Sequence, residues 1–152
     1  MNENEIHTTD LTNCRLHWRW TNPRYHQFSE ADCKQISALD ADSAQMVWDK
    51  SVVFATSARD FAPAQEHFHK IESLEIDDDD VVRDWLRICM PSDTIIMSWQ
   101  PDTAILIRTE LFINHWEKFC YPALDNISIW PLSEKWIVHY WNEEVFWYGV
   151  AR

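Results

Sequence analysis

Glycine is almost missing from this chain: 152 residues contain one, Gly149, near the C-terminus. A dinucleotide-binding fingerprint, a P-loop and an EF-hand loop all need glycine where backbone turns at positive φ or approaches a ligand closely. The glycine-flanked serine elbow and the glycine-rich kinase loop need it too. All five devices are excluded. Basic side chains are also few, thirteen Lys and Arg against twenty-five Asp and Glu, for a net charge of −12 with histidines neutral. That balance argues against general nucleic-acid binding, which needs clustered cations to displace counterions. It favours a basic protein partner. No apolar run approaches the roughly 18 residues of a membrane-spanning helix. The opening Met-Asn-Glu-Asn-Glu-Ile-His is acidic rather than basic then apolar, so it does not read as a signal peptide, and a cytoplasmic protein is expected. The four cysteines, at 14, 33, 89 and 120, include no C-x-x-C pair. They read as reduced, partly buried thiols, with no metal set and no cofactor implied.

What is present is ordinary in bulk and unusual in detail. Hydrophobic residues make up 46% and charged residues 25%, as in packed globular proteins. The length suits one domain, 1–152, with residues 1–12 as a loose end, and a chain of this size buries about 68–70% of its unfolded surface. Ten tryptophans are the surplus.

Periodicity places helices first and strands second. Leu16, Trp18 and Trp20 alternate with Arg15, His17 and Arg19, the period of a half-buried strand over 14–20. Ser29 with Asp32 three residues on makes an N-cap, for a helix to about Leu39 that turns Ile36 and Leu39 inward. Asp42 or Ser43 caps a second helix through about Asp49, burying Ala44, Val47 and Trp48. Pro63 suits the first turn of a third, with Ala64, Phe68 and Ile71 on one face. Asp77–Asp80 read as a solvated helix start ending before Pro91, because acids favour the positive helix end. Strands are expected at about 94–99, 103–108, 127–130, 135–141 and 144–150, with Thr109 capping a helix to about Cys120. Its stripe contains Leu111, Phe112, His115, Trp116 and Phe119, and Trp116 is expected at the helix–sheet contact. The class is α+β: N-terminal helices cover one face of a mostly antiparallel C-terminal sheet, with one helix inserted between strands. The stretch 103–130 would suit one parallel crossover.

Few residue sets suggest chemistry. His67 and His69 are two apart, so on a helix they diverge and read as surface imidazoles rather than zinc ligands. Consecutive carboxylates at Asp77–Asp80 cannot all turn to one calcium ion. Cys120 with His115, His139 and Asp125 is the one set resembling a thiol catalyst, which needs a thiolate activated by an oriented imidazole. The bland alternative is a cysteine packed at the end of an amphipathic helix. Arg15, Arg19 and Arg24 interleave with Trp18, Trp20, Tyr25 and Phe28, as in cation–π platforms, but are read as pairing with the chain's own carboxylates.

The ordering Trp18-Arg19-Trp20-Thr21, Ser29-x-x-Asp32-x-x-x-Ile36-x-x-Leu39, a helix with Ala44 and Trp48, then Phe112-x-x-His115-Trp116-x-x-Phe119 and Tyr121-Pro122-x-x-Asp125, closing on Trp136, Tyr140 and Phe146, carries a resemblance. It is similar to an uncharacterised bacterial family of small acidic Trp-rich proteins, a domain of unknown function, over about two-thirds of the chain from residue 14 onward. That resemblance implies no activity. In style the segment around His115 also resembles small acidic immunity proteins that neutralise toxins.

Three functional readings follow. The first is a non-enzymatic binding module, inhibitor-like or adaptor-like, resting on acidity and on the Trp and Tyr typical of interface hot spots. The second is an enzyme or small-ligand binder using His115, Cys120 and His139. The third confines the aromatics to the core and to self-association. For the C-terminal hairpin, a two-residue turn at Asn142-Glu143 pairs Trp141 with Glu144 and Trp136 with Gly149. That register gives a core face of Trp136, Val138, Tyr140, Val145 and Trp147. The other face carries Ile137, His139, Trp141, Glu144, Phe146 and Tyr148, with Trp141 and Tyr148 expected as the heart of a binding patch.

Overall fold

The alternating runs of the C-terminal half do form strands. A computed structural model, which describes residues 1–25, 28–56 and 60–152, joins them with three more into one antiparallel sheet. The strands are β1 (Thr8–Thr9), β2 (Ser37–Leu39), β3 (Phe68–Glu75), β4 (Thr94–Gln100), β5 (Thr103–Arg108), β6 (Ile127–Pro131), β7 (Trp136–Trp141) and β8 (Val145–Ala151). The helices are α1 (Trp18–Thr21), α2 (Glu30–Cys33), α3 (Ala41–Phe54), α4 (Asp79–Cys89) and α5 (Thr109–Asn114). The class is α+β, with strand order β1-β2-β5-β4-β6-β7-β8-β3. The stretch 103–130 crosses over but lands β6 beyond β4, so β5 and β6 share a direction without pairing. No parallel pair occurs among the described residues.

Helices cover both faces of the sheet rather than one. Leu86 of α4, Phe112 of α5 and Trp116 pack with Met97, Val138 and Phe146 on face one. Ala44, Val47 and Phe54 of α3 pack with Ile96, Trp130 and Ile137 on face two. The start of the chain is tied down: β1 pairs with β2, and Leu11 joins the face-one core.

Five local expectations are corrected. Residues 14–20 are a turn and then α1, with Arg19 and Trp20 both buried. The alternation was misleading because Arg19 is drawn inward by a carboxylate far away in sequence, which no local period reveals. Ser29 does cap a helix, accepting from Asp32 N at 3.0 Å, but α2 lasts one turn and the chain then enters β2. The cap of α3 is Asp40, accepting from Ser43 N at 2.9 Å, and Trp48 is only half-buried. Residues 68–75 are the edge strand β3, not a helix. A bulge between His69 and Glu72, with Lys70 at φ 49°, breaks the two-residue period and left Ala64, Phe68 and Ile71 at helical spacing. The expected 109–120 helix also splits at His115 (φ −130°, ψ 29°), into α5 and a 3-10 turn over Trp116–Lys118. Thr109 is its first residue rather than its cap, its hydroxyl donating to Asp93 O at 2.8 Å.

The hairpin register decides which side chains share a face. The loop has three residues, not two: Trp141 pairs with Val145, Tyr140 with Phe146 and Ile137 with Gly149. Glu144 sits at φ 61°, the left-handed position such loops require and usually give to glycine. One residue of slip moves every β8 side chain to the other face. Phe146 and Tyr148 therefore join Trp136, Val138 and Tyr140 on face one, while Val145 and Trp147 join His139 and Trp141 on face two. Gly149 lies beneath β3, not beside Trp136. A Cβ there would stand 3.1 Å from Phe68 Cβ and 3.2 Å from Pro63 Cβ, closer than comfortable packing.

Candidate functional site

The sequence candidates are not brought together. Cys120 is buried, and burial pushes its thiol well above the ordinary range, with the Asp125 charge adding to the effect. That is the reverse of an activated thiolate. Both Asp125 oxygens are taken by Arg19. His115 is half-buried against Phe28 at 5.0 Å, and burial lowers its pKa. His139 lies on face two, across the sheet from Cys120 and Asp125. No thiol–imidazole–carboxylate set forms. The hairpin patch dissolves as well: Trp141 and Tyr148 are half-buried on opposite faces, Phe146 and His139 are fully buried, and only Glu144 is exposed. His67 and His69 are exposed, and among the described residues no group of three or more His, Cys, Asp or Glu is placed to hold a metal ion.

The structure builds a different site at one end of the sheet. Its centre is an ion pair: Arg19 Nη1 and Nη2 donate to Asp125 Oδ2 and Oδ1 at 2.6 and 3.1 Å. Both residues are buried. Asp125 Oδ2 also accepts from Tyr121 N at 2.9 Å, and the Tyr121 ring lies 3.8 Å under the guanidinium. Around this pair, Trp99, Gln100, Leu124 and Asn126 form a ridge with a cleft on either side. The first, of about 210 Å³, adds Arg15, Trp18 and Arg19. The second, of about 350 Å³, adds Trp48, Val52 and Phe61. Four buried polar atoms have no partner among the described residues: Arg19 Nε, Trp99 Nε1, Ser98 Oγ and His139 Nε2. Native proteins leave few such atoms, and their grouping near one end of the sheet marks this region out.

His139 shows how far one of these groups is desolvated. Its Nδ1–H donates to the Phe61 carbonyl at 2.7 Å, and the Phe61 ring stacks on the imidazole at 4.3 Å. A carbonyl only accepts, so Nδ1 carries the proton and Nε2 keeps a bare lone pair. Phe61 itself is held at φ 60°, next to the Trp147 indole, whose N–H donates to Asp60 O at 2.9 Å. Burial lowers the His139 pKa from 6.5 to about 4. Between those values the unfolded chain binds a proton here and the folded chain does not, so folding stability is intact above 6.5 and is lost progressively from there down to about 4. The expected loss is on the order of 3 kcal/mol. Urea midpoints at about pH 7 and about pH 4.5 measure it. His139→Gln should flatten this acid limb, and an unchanged limb contradicts the assignment.

A second feature lies at the β3 edge. Among the described residues no strand pairs with its outer side. Glu72 and Glu75 are exposed on it, and the chain runs on into exposed Asp77–Asp80. The Ile76 N–H donates to Glu144 O at 2.9 Å, which sets Glu143 and Glu144 beside the same run. Asp80 pairs with Arg83 at 2.8 Å. The other acids of this edge have no ion pair among the described residues.

Sequence reasoning singled out Arg19 and Asp125 separately but could not join them, since they stand 106 positions apart. Trp99, Gln100, Leu124 and Asn126 carried no local signal. Among the described residues no helix is long and apolar enough to cross a membrane. Comparison with protein-family models, with curated proteins and with solved structures finds no match to this chain.

Proposed function

We propose that this protein is a non-enzymatic binding module that recognises a basic segment of a partner protein by accepting it as an added strand on β3. The observation that supports this reading is an open sheet edge that exposes two acids, Glu72 and Glu75, beside His69, Lys70 and Ser73, and leads into the exposed carboxylates of Asp77–Asp80. Backbone hydrogen bonds along the edge would supply affinity, and the carboxylates would select Lys- and Arg-rich strands and speed their encounter. The same charges repel a second copy of this chain, at −12, which protects the edge from self-pairing. The four free thiols suit a reducing, cytoplasmic setting.

A peptide of alternating lysine and valine tests the reading against one of alternating glutamate and valine. The lysine peptide should bind, should protect the amides of 72–75 from hydrogen exchange, and should weaken at least tenfold between about 0.05 and 0.5 M salt as the charges are screened. The double substitution Glu72→Lys, Glu75→Lys should abolish binding with folding unchanged. Equal binding of both peptides, or binding that survives the double substitution, contradicts the proposal.

A further inference from the structure

The smaller cleft beside the sheet-end ridge contains donors with nothing to donate to. Arg19 Nε–H and Trp99 Nε1–H are both buried, neither meets an acceptor among the described residues, and both residues line the cleft. A buried donor without an acceptor costs free energy on folding, so two on one small cavity need an explanation. Charge does not supply it. The Arg19 guanidinium is already matched in bidentate fashion by Asp125. Arg15 Nε donates to Thr103 Oγ1 at 2.7 Å and lies 3.6 Å from Asp102. An anion brought here would sit beside two carboxylates, within a strongly negative protein. An uncharged acceptor avoids that repulsion.

The geometry points to a ligand site in this cleft for a small, uncharged, planar molecule bearing a carbonyl, a lactam or carboxamide. Its oxygen, with two lone pairs, takes the two free N–H groups of Arg19 and Trp99. The cavity of about 210 Å³ is below the range of roughly 300–1,000 Å³ typical of drug-sized ligands, so it suits a single ring. The half-buried Trp18 indole gives that ring a flat wall, and the Asn126 amide oxygen at the rim, which accepts from Asn142 N at 2.9 Å, has a second lone pair for the lactam N–H. Leu124, 67% exposed, stands at the rim of the cleft on a turn where Ala123 is at φ 65°. Both donors are buried away from bulk water. This site shares no residue with the β3 edge, so the two proposals stand or fall separately.

The test follows the Trp99 indole N–H and the Arg19 Nε–H by nuclear magnetic resonance while 2-pyridone is added to the full chain. Toluene, which has no acceptor, and benzoate, which is charged, are the comparison ligands. Both signals should move with 2-pyridone and saturate at millimolar concentration. Toluene should bind at least about tenfold more weakly, the loss expected when a buried donor stays unmet, and benzoate likewise because Asp125 and Asp102 repel it. Leu124→Trp, a change at an exposed position, should fill the mouth and abolish the shifts while the rest of the spectrum is retained. The proposal is overturned if neither signal moves, if toluene shifts both as well as 2-pyridone does, or if Leu124→Trp binds 2-pyridone normally. It is also overturned if both N–H groups show contacts to one long-lived water that 2-pyridone does not displace.

Discussion

Asp125→Ala should cost about 3–5 kcal/mol of folding stability, because it leaves the Arg19 guanidinium charged and buried with no counterion. Arg19 is 1% exposed and Asp125 5%, so water cannot take over the lost contacts. The backbone N–H of Tyr121 loses its acceptor in the same substitution. Because the penalty is one of desolvation, removing both charges should be gentler than removing one. The double substitution Arg19→Met, Asp125→Leu, which replaces the pair by apolar groups of similar volume, should recover most of the loss. Urea unfolding of the parent, both single variants and the double variant gives the coupling directly. Additive single losses would mean that the two side chains do not act as a pair.

Trp116→Ala should be comparably severe, at about 3–5 kcal/mol, the range for truncating large core aromatics. Trp116 is buried between the α5 region, α4 and the sheet. Its ring meets Phe146 edge-on at 5.6 Å, and its indole N–H donates to Asp79 O at 3.3 Å. The variant therefore opens a cavity on face one and frees a carbonyl in the first turn of α4. Thermal and denaturant midpoints report both effects together, while Trp116→Phe keeps most of the volume and isolates the lost hydrogen bond. A loss below about 1 kcal/mol for the alanine variant would place this side chain outside the core.

How legible the fold was depended on which signals survive in a chain with almost no glycine. Among the described residues Phe61, Lys70, Ala123, Glu134 and Glu144 all stand at positive φ, and none is glycine. Each is a turn or bulge that glycine ordinarily announces. At Glu144 the missing signal shifted the hairpin by one residue and exchanged the faces of Phe146, Tyr148 and Trp147. At Lys70 it hid the bulge in β3. Where the local chemistry is self-contained, the reading agreed with the structure. Gln100-Pro101-Asp102 turns between β4 and β5, Asp78 caps α4 by accepting from Asp80 N and Val81 N, and the α4 helix ends before Pro91. The candidate site was much less legible. Two clefts form only where the ends of β4 and β6, the α3 C-terminus and the α1 turn converge, and none of those segments is near another in sequence.

The sequence by itself determined the α+β class, the five C-terminal strands, the sheet-facing burial of Trp116 and the exclusion of glycine-dependent nucleotide and calcium loops. These rest on side-chain periodicity, on capping and on backbone sterics, which act over a few residues. The tertiary structure decided the strand order, the face of every β8 side chain, the burial of Arg19 and the separation of His139 from Cys120. The β8 faces follow from one loop residue at positive φ that no glycine announces, while the others depend on contacts between residues tens of positions apart, and Arg19 is the plainest case. Alone, a guanidinium between two tryptophans belongs in water; only the carboxylate of Asp125, delivered by the rest of the fold, makes the interior the cheaper place for it.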